Sequence, residues 1–436
     1  MNINSKYGYR YLGEGVKVSN DTRVTFLNNN DLIVGNSGSS KTGSVVYPQL
    51  KSLKDSSLIV ADTKGQLAKM SKDELEAKGY DVKTLDFVNP ENSCRYNPLD
   101  YIRQDFDGEY KEQDIAKLAA CLVPLNVAKN DSFWPTSARI IIEFAISFTL
   151  MALKDDQHNM ATVSKVATAV CSESADKDNF EGWIHMHTST LPAKRYMQIQ
   201  GMKAADKTFS CIQAFVTNAL RIFDYKEYQR IFDPYYDRSN PFKPAMQDVN
   251  IASLGKKPSV LFLNISDTDH SMDDVVNLFY AQALQTLVAE ADASPHGRLA
   301  MPVRIIMDDF ASSALIPDFD KIISVVRSRD IWLTLCIQSL TQLESLYSHE
   351  QAITIMNNCD HIVYLGGNDL DSANFIGTRA MRTPESVLTM DRTKEYILES
   401  GKPIALVNKI PSYSFVDEDE DDCEMTLEEL PNEPCA

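Results

Sequence analysis

Seven short apolar runs rich in β-branched residues punctuate the two ends of the chain, at residues 32–34, 58–60, 82–87, 260–263, 303–307, 332–336 and 362–365. Most are continuous rather than alternating, as expected of parallel strands covered on both faces. Helical patterns lie between several of them, and this strand–helix–strand rhythm predicts an α/β fold with a mostly parallel sheet. The middle reads differently. From about residue 107 to 236 the periodicity is helical, most clearly at 136–154, where polar Arg139, Glu143 and Ser147 fall at i, i+4 and i+8. That spacing predicts one polar stripe on an otherwise buried helix, with Arg139 and Glu143 placed to pair. Residues 208–223 continue the pattern. The expected organisation is a first α/β part at 1–106, an all-α domain at 107–240, a second α/β part at 241–413 and an acidic, solvated tail at 414–436.

Composition changes this picture only in places. The 436 residues, 44% apolar and 24% charged, suit two or three soluble domains with cores that need no disulfide. The eight cysteines are scattered without a C-x-x-C, and several sit in apolar runs, which predicts buried reduced thiols in a cytoplasmic protein. The first ten residues are polar and do not read as a secretory signal. The longest apolar stretch, 140–153, contains Glu143 and falls short of the ~20 residues that cross a bilayer, so no membrane span is expected. The net charge of −18 argues against a broadly basic nucleic-acid surface. Ten acidic residues lie in 417–433, and removing them leaves −8, so a DNA-contacting surface would have to be local.

The most informative segment is Gly35, Asn36, Ser37, Gly38, Ser39, Ser40, Lys41 and Thr42, which follows an apolar run and precedes a helical pattern. A phosphate-binding loop needs this layout, because consecutive amides must face the phosphates while the next helix adds partial positive charge. In that role Lys41 reaches the β- and γ-phosphates of ATP, and the Thr42 hydroxyl ligates Mg²⁺. Ser40 stands where the G-x-x-x-x-G-K-[ST] pattern has glycine. A side chain there disfavours left-handed backbone by roughly 1 kcal/mol or more. The alternative is a Ser/Gly turn that happens to precede a lysine.

The run 303–307 ends in Asp308 and Asp309. In a phosphate-loop ATPase the first such carboxylate holds Mg²⁺ and the second orients or deprotonates the attacking water. Aspartate at the second position is one methylene shorter than glutamate, and a misplacement of about an ångström can cost roughly 10²-fold in rate. The plain alternative is a turn or helix cap. Arg327 and Arg329 close a helical stretch, where the helix dipole favours cations in any case; the sharper reading of Arg327 is a finger reaching a neighbouring subunit's nucleotide. Gln338 follows the 332–336 run and is either a γ-phosphate sensor or a polar loop residue.

Taken in order, GNSGSSKT at 35–42, ADTKG at 61–65, YNPLD at 96–100, FW at 133–134, LRIF at 220–223 and MDDFA at 307–311 resemble conjugative coupling proteins. So do IPDF at 316–319, RSR at 327–329, IQSL at 337–340 and LGGNDL at 365–370. The resemblance is to the TraG/TraD-like type IV secretion ATPases and covers roughly residues 25–413. It implies a RecA-like nucleotide domain interrupted by an all-α domain, and hexameric rings with ATP and Mg²⁺ between subunits. It also implies recruitment of a relaxase with single-stranded DNA, or of protein cargo, for delivery to type IV secretion channel components. The expected location is the cytoplasm, peripheral at the cytoplasmic face of the bacterial inner membrane. Carried over, Lys41 and Thr42 bind nucleotide and Mg²⁺, Asp308 and Asp309 fill the paired acidic positions, Arg327 is the trans finger and Gln338 the sensor.

Three departures follow. Family members usually carry glycine at position 40 and glutamate at 309, so slow hydrolysis is expected. Most also begin with transmembrane helices, so either that part lies outside this sequence or the protein docks through partners. Three functions result: an ATP-driven DNA-transfer pump, a weakened platform that recruits substrate and binds nucleotide without efficient hydrolysis, and a cytoplasmic DNA translocase of the chromosome-segregation type.

Overall fold

The computed structural model describes residues 7–125, 132–172, 177–204, 206–235, 246–310 and 315–415. The acidic run at 417–433 and Ala311 lie outside the described residues. A small hairpin of β1 (Tyr9–Gly13) and β2 (Val16–Ser19) precedes the main sheet. The sheet holds β3 (Asp31–Val34), β4 (Ser57–Asp62), β5 (Asp81–Asp86), β6 (Ser259–Asn264), β7 (Val303–Met307), β8 (Ile331–Ile337), β9 (His361–Tyr364), β10 (Lys394–Glu399) and β11 (Ala405–Asn408). Their order is β11-β10-β9-β3-β8-β7-β4-β6-β5. From β9 to β5 every pairing is parallel, while β10 and β11 add an antiparallel edge.

The seven apolar runs of the sequence are the seven parallel strands. Their inner members are buried along their whole length, which is why they lack alternation. Strands β10 and β11 gave no continuous run. β11 alternates buried with exposed positions at its end, and Lys394 and Glu399 bracket the apolar centre of β10.

Between β5 and β6 the described chain contains helices and turns but no strand. The predicted buried helix is Phe133–Ala152, with Ile141, Phe144, Ala145 and Ile146 fully enclosed. Its polar stripe is partnered otherwise than its spacing suggested. Arg195 donates to Glu143 at 2.6 Å, whereas Arg139 donates to the Val123 carbonyl at 2.8 Å. Tertiary partners on neighbouring segments supersede the local i, i+4 pair. This helix is also the one among the described residues long and apolar enough to cross a membrane by length and composition, with 67% of its apolar 18-residue stretch buried inside the protein. It exceeds the apolar stretch counted from the sequence because the helix begins at Phe133.

One continuous apolar cluster joins these helices to one sheet face through the long helix Asp273–Ala293. A second covers the opposite face, where the turns after β3, the helix Gln66–Ala77 and the β1–β2 hairpin pack. The central strand β3 therefore lies between two cores, with its termini emerging at the two ends of the sheet.

At its start, buried Asp31 accepts from Arg10 Nη2 at 2.9 Å and Nε at 2.9 and 3.1 Å, and from Arg304 Nη1 at 3.0 Å. Arg10 Nη2 also donates to His361 Nδ1 at 3.0 Å, leaving His361 neutral with its proton on Nε2. Burial works against the Asp31 carboxylate, yet the Arg10 and Arg304 guanidinium groups hold its pKa below the usual range. Burial, reinforced by Arg10, pushes the His361 imidazole down to about 3.

Candidate active site

Parallel strands bring all their C-terminal ends to one edge, where open α/β sheets bind ligands. Here that edge gathers the turn after β3, Thr63 after β4, Asp308 and Asp309 after β7 and Gln338 after β8. Strand β8 stands between the loop-bearing β3 and the acid-bearing β7. Gly35 N donates to the Ile337 carbonyl at 3.0 Å and Asn36 N to the Gly366 carbonyl at 3.1 Å, so the loop leaves the sheet stitched to its neighbours on both sides. Gly35 has no room for a side chain, since a Cβ there would stand 2.3 Å from Ser39 Oγ.

The loop then turns through two left-handed residues, Gly38 (φ +79°) and Ser40 (φ +70°). Ser40 thus adopts the conformation that favours glycine, at the position where the sequence pattern asked for it. The amides of Gly38, Ser40 and Lys41 make no backbone or side-chain hydrogen bond among the described residues. The next turns, Lys41–Val46, are wound wider than an α-helix before Tyr47–Lys51 tightens, a feature frequent at functional sites.

Lys41 is buried and folds over the loop, its ammonium donating to the Gly35 carbonyl at 2.8 Å and standing 4.0 Å from Asp309 Oδ1. Thr42 Oγ1 donates to Asp308 Oδ2 at 2.6 Å, and the other Asp308 oxygen accepts from the Asp309 amide at 3.1 Å. Burial raises the Asp308 pKa, partly offset by the Thr42 hydroxyl. A buried carboxylate and a hydroxyl side by side, next to free loop amides, form a donor set fit for an octahedral, oxygen-seeking cation and the phosphates it accompanies. Asp309 is itself left-handed (φ +53°), a geometry that aspartate accommodates better than most side chains.

Of the residues singled out from sequence, Gly35 to Thr42, Asp308, Asp309 and Gln338 come together at this edge. Gln338 lines, with Thr63, His270, Tyr280, Asp308 and Asp309, a cavity of about 320 Å³. Arg327 does not join them. It precedes β8 at the opposite end of the sheet, roughly 20 Å away by strand length, and its Nη2 donates to the Phe26 carbonyl at 2.6 Å. Only another copy could bring such an arginine to the loop.

The cavity also contains side chains that sequence reasoning missed. Tyr280, inside Asp273–Ala293, is buried with its hydroxyl unpartnered; burial, with the Asp308 charge, pushes its phenol well up. His270 Nδ1 faces Asp273 Oδ2 at 3.0 Å. Neither lies in a recognisable spacing, because each reaches the site from a segment far away in sequence. The ADTKG segment is a strand-end turn: Asp62 accepts from the Gln66 and Ala68 amides at 3.0 and 2.9 Å and caps the helix that follows, and left-handed Gly65 (φ +61°) sits against Asn264.

The sequence family described as type IV secretory system conjugative DNA transfer matches residues 10–380. No curated protein sequence matches the chain. Among solved structures, the bacterial conjugative coupling protein TrwBdeltaN70 in complex with sulphate superposes with a TM-score of 0.64 at 13% identity, over 89% of this chain and 86% of that one. The plasmid coupling protein TrwB with ADP and Mg²⁺ gives 0.62 at 13% identity, over 89% and 87%. VirB4 of Thermoanaerobacter pseudethanolicus gives 0.55 at 10% identity, over 94% and 97%. At these identities the likeness is one of fold.

Proposed function

The chain belongs to the conjugative DNA transfer family of type IV secretory systems, and from that premise we propose that it is an ATP-driven coupling protein, which recruits a relaxase–DNA or protein substrate and delivers it to the secretion channel. The observation that carries this reading is the Thr42–Asp308 hydrogen bond beside the open amides of the 35–42 loop. TrwB, of similar fold, has been solved with ADP and Mg²⁺, which supports the same ligands here. Thr42 and Asp308 would hold Mg²⁺, which when bound neutralises charge on the phosphates. The amides of Gly38, Ser40 and Lys41 and the Lys41 ammonium bind and orient the phosphates. Asp309 and Gln338, facing the same cavity, hold the attacking water. Arg327, exposed on the far end of the sheet, acts on the loop of a neighbouring copy in a hexameric ring. Residues 107–240 form the module that meets cargo, and assembly with channel partners places the protein at the cytoplasmic face of the inner membrane.

A second reading is a platform that binds nucleotide with little hydrolysis. Two observations favour it: the left-handed backbone of Ser40, and the short carboxylate of Asp309. Steady-state ATP hydrolysis with and without single-stranded DNA, against Lys41→Ala, separates the two. Turnover that DNA stimulates and Lys41→Ala abolishes is expected of the pump. Turnover equal to that of Lys41→Ala leaves the platform.

A further inference from the structure

Lys409 lies just past β11, beyond residue 380 where the family match ends. Its half-buried ammonium crosses to the phosphate loop, donating to the Leu365 carbonyl at 2.8 Å and the Ser39 carbonyl at 3.3 Å. The segment that follows lies along the turns after the loop. Tyr413 N donates to the Gly43 carbonyl at 3.0 Å, and the Tyr413 ring meets Tyr47 edge-on at 5.6 Å. Gly43 has space for nothing larger, since a Cβ there would stand 2.0 Å from Ser412 Oγ. The loop is thus held from outside by a strap that starts at Lys409.

The consequence lies in one peptide bond. In a trans peptide the carbonyl and the next N–H point in opposite directions. A Ser39 carbonyl held by Lys409 therefore directs the Ser40 N–H away from the strap, and that amide has no partner among the described residues. Half a turn of that peptide would take Ser40 from φ +70° to about −110°, on the negative side of φ that L-residues favour. It would also swing the N–H out of the cradle. The serine side chain favours the flipped loop, whereas glycine, at ease at either sign of φ, would not.

We propose that Lys409 is a positioning residue of the nucleotide site: by holding the Ser39 carbonyl it keeps the Ser40 amide aimed at phosphate, in a loop whose serine would otherwise turn that amide away. The proposal rests on the nucleotide-binding reading above. It states that Lys409 and Ser40 act as a pair, so that the need for the lysine disappears once position 40 is glycine.

The test is calorimetric titration of MgADP into the full chain as native, Lys409→Met, Ser40→Gly and the double variant, each checked for folding by circular dichroism. Lys409→Met is expected to weaken binding about tenfold with Ser40 present, the scale of one charged hydrogen bond. In the Ser40→Gly background the same change is expected to cost less than about threefold. Lys409→Arg, which keeps a charged donor, retains most of the affinity. If Lys409→Met unfolds the chain, Lys409→Gln supplies a neutral donor, with an intermediate loss beside Ser40 and none in the Ser40→Gly background. Equal losses in both backgrounds, or no loss beside Ser40, overturn the proposal while leaving nucleotide binding intact. Absence of MgADP binding to both the native protein and Ser40→Gly overturns the nucleotide reading and this proposal with it.

Discussion

The two ends of β3 carry charge in opposite ways. At its start, Asp31 is enclosed and answered by Arg10 and Arg304, and neutral His361 accepts from Arg10. At its end, four residues later, the chain enters a loop with left-handed Ser40, open amides and a lysine that leans on backbone carbonyls. One end spends its polar groups on each other and fixes the strand in the sheet. The other leaves them uncommitted, as a site for a charged ligand must. Both cores grip the short strand between these ends, so the loop's strain is borne by a rigid support.

The sharpest way to break this contrast is at Asp31. Asp31→Ala strands two buried guanidinium groups and is expected to cost ~3–5 kcal/mol in a denaturant titration. Lys41→Ala, at the other end, is expected to leave the unfolding midpoint nearly unchanged while abolishing nucleotide binding. A large loss from both substitutions would show that the two ends are not specialised as described.

The next effect is on turnover. Ser40→Gly with Asp309→Glu should raise ATP hydrolysis by up to roughly 10²-fold if reach and loop strain limit it. Ser40→Gly alone serves as the control, because the left-handed backbone at 309 suits aspartate better than glutamate. No gain from the pair would mean that neither departure sets the rate.

A more gradual effect, spread over several pH units, follows from His361. Its folded value of about 3 lies below the usual 6.5, so between these values the unfolded chain takes up a proton that the folded chain refuses. Stability should therefore fall as pH drops from 6.5 towards 3, by at most roughly 1.4 kcal/mol per pH unit. His361→Asn, whose carbonyl can replace Nδ1 as acceptor for Arg10, should flatten that part of the thermal-unfolding profile. An unchanged slope would assign the acid sensitivity to other groups.

The same contrast explains what was legible in the sequence. The parallel strands stood out because burial on both faces demands continuous apolar runs, and the loop stood out because its chemistry is contiguous. Asp308 was legible beside it as the end of such a run. Arg10 and His361 were not, since the Asp31 cluster collects side chains from β1, β7 and β9 with no local spacing. Tyr280 and Lys409 escaped for the same reason, each reaching the loop's surroundings through tertiary packing. Arg139 and Glu143 show the converse: their spacing was correct for a pair, yet Arg195 and the Val123 carbonyl offered each a tertiary partner.

The central claim is that the 35–42 loop encloses phosphate while Thr42 and Asp308 hold the accompanying cation. A crystal structure with ATP-γ-S and Mn²⁺ tests it most directly, because manganese can be located by its anomalous scattering. The account predicts a manganese peak coordinated by Thr42 Oγ1, adjacent to Asp308, with the thiophosphate against the amides of Gly38, Ser40 and Lys41. Manganese and nucleotide bound elsewhere, with Thr42 still donating to Asp308, would contradict it.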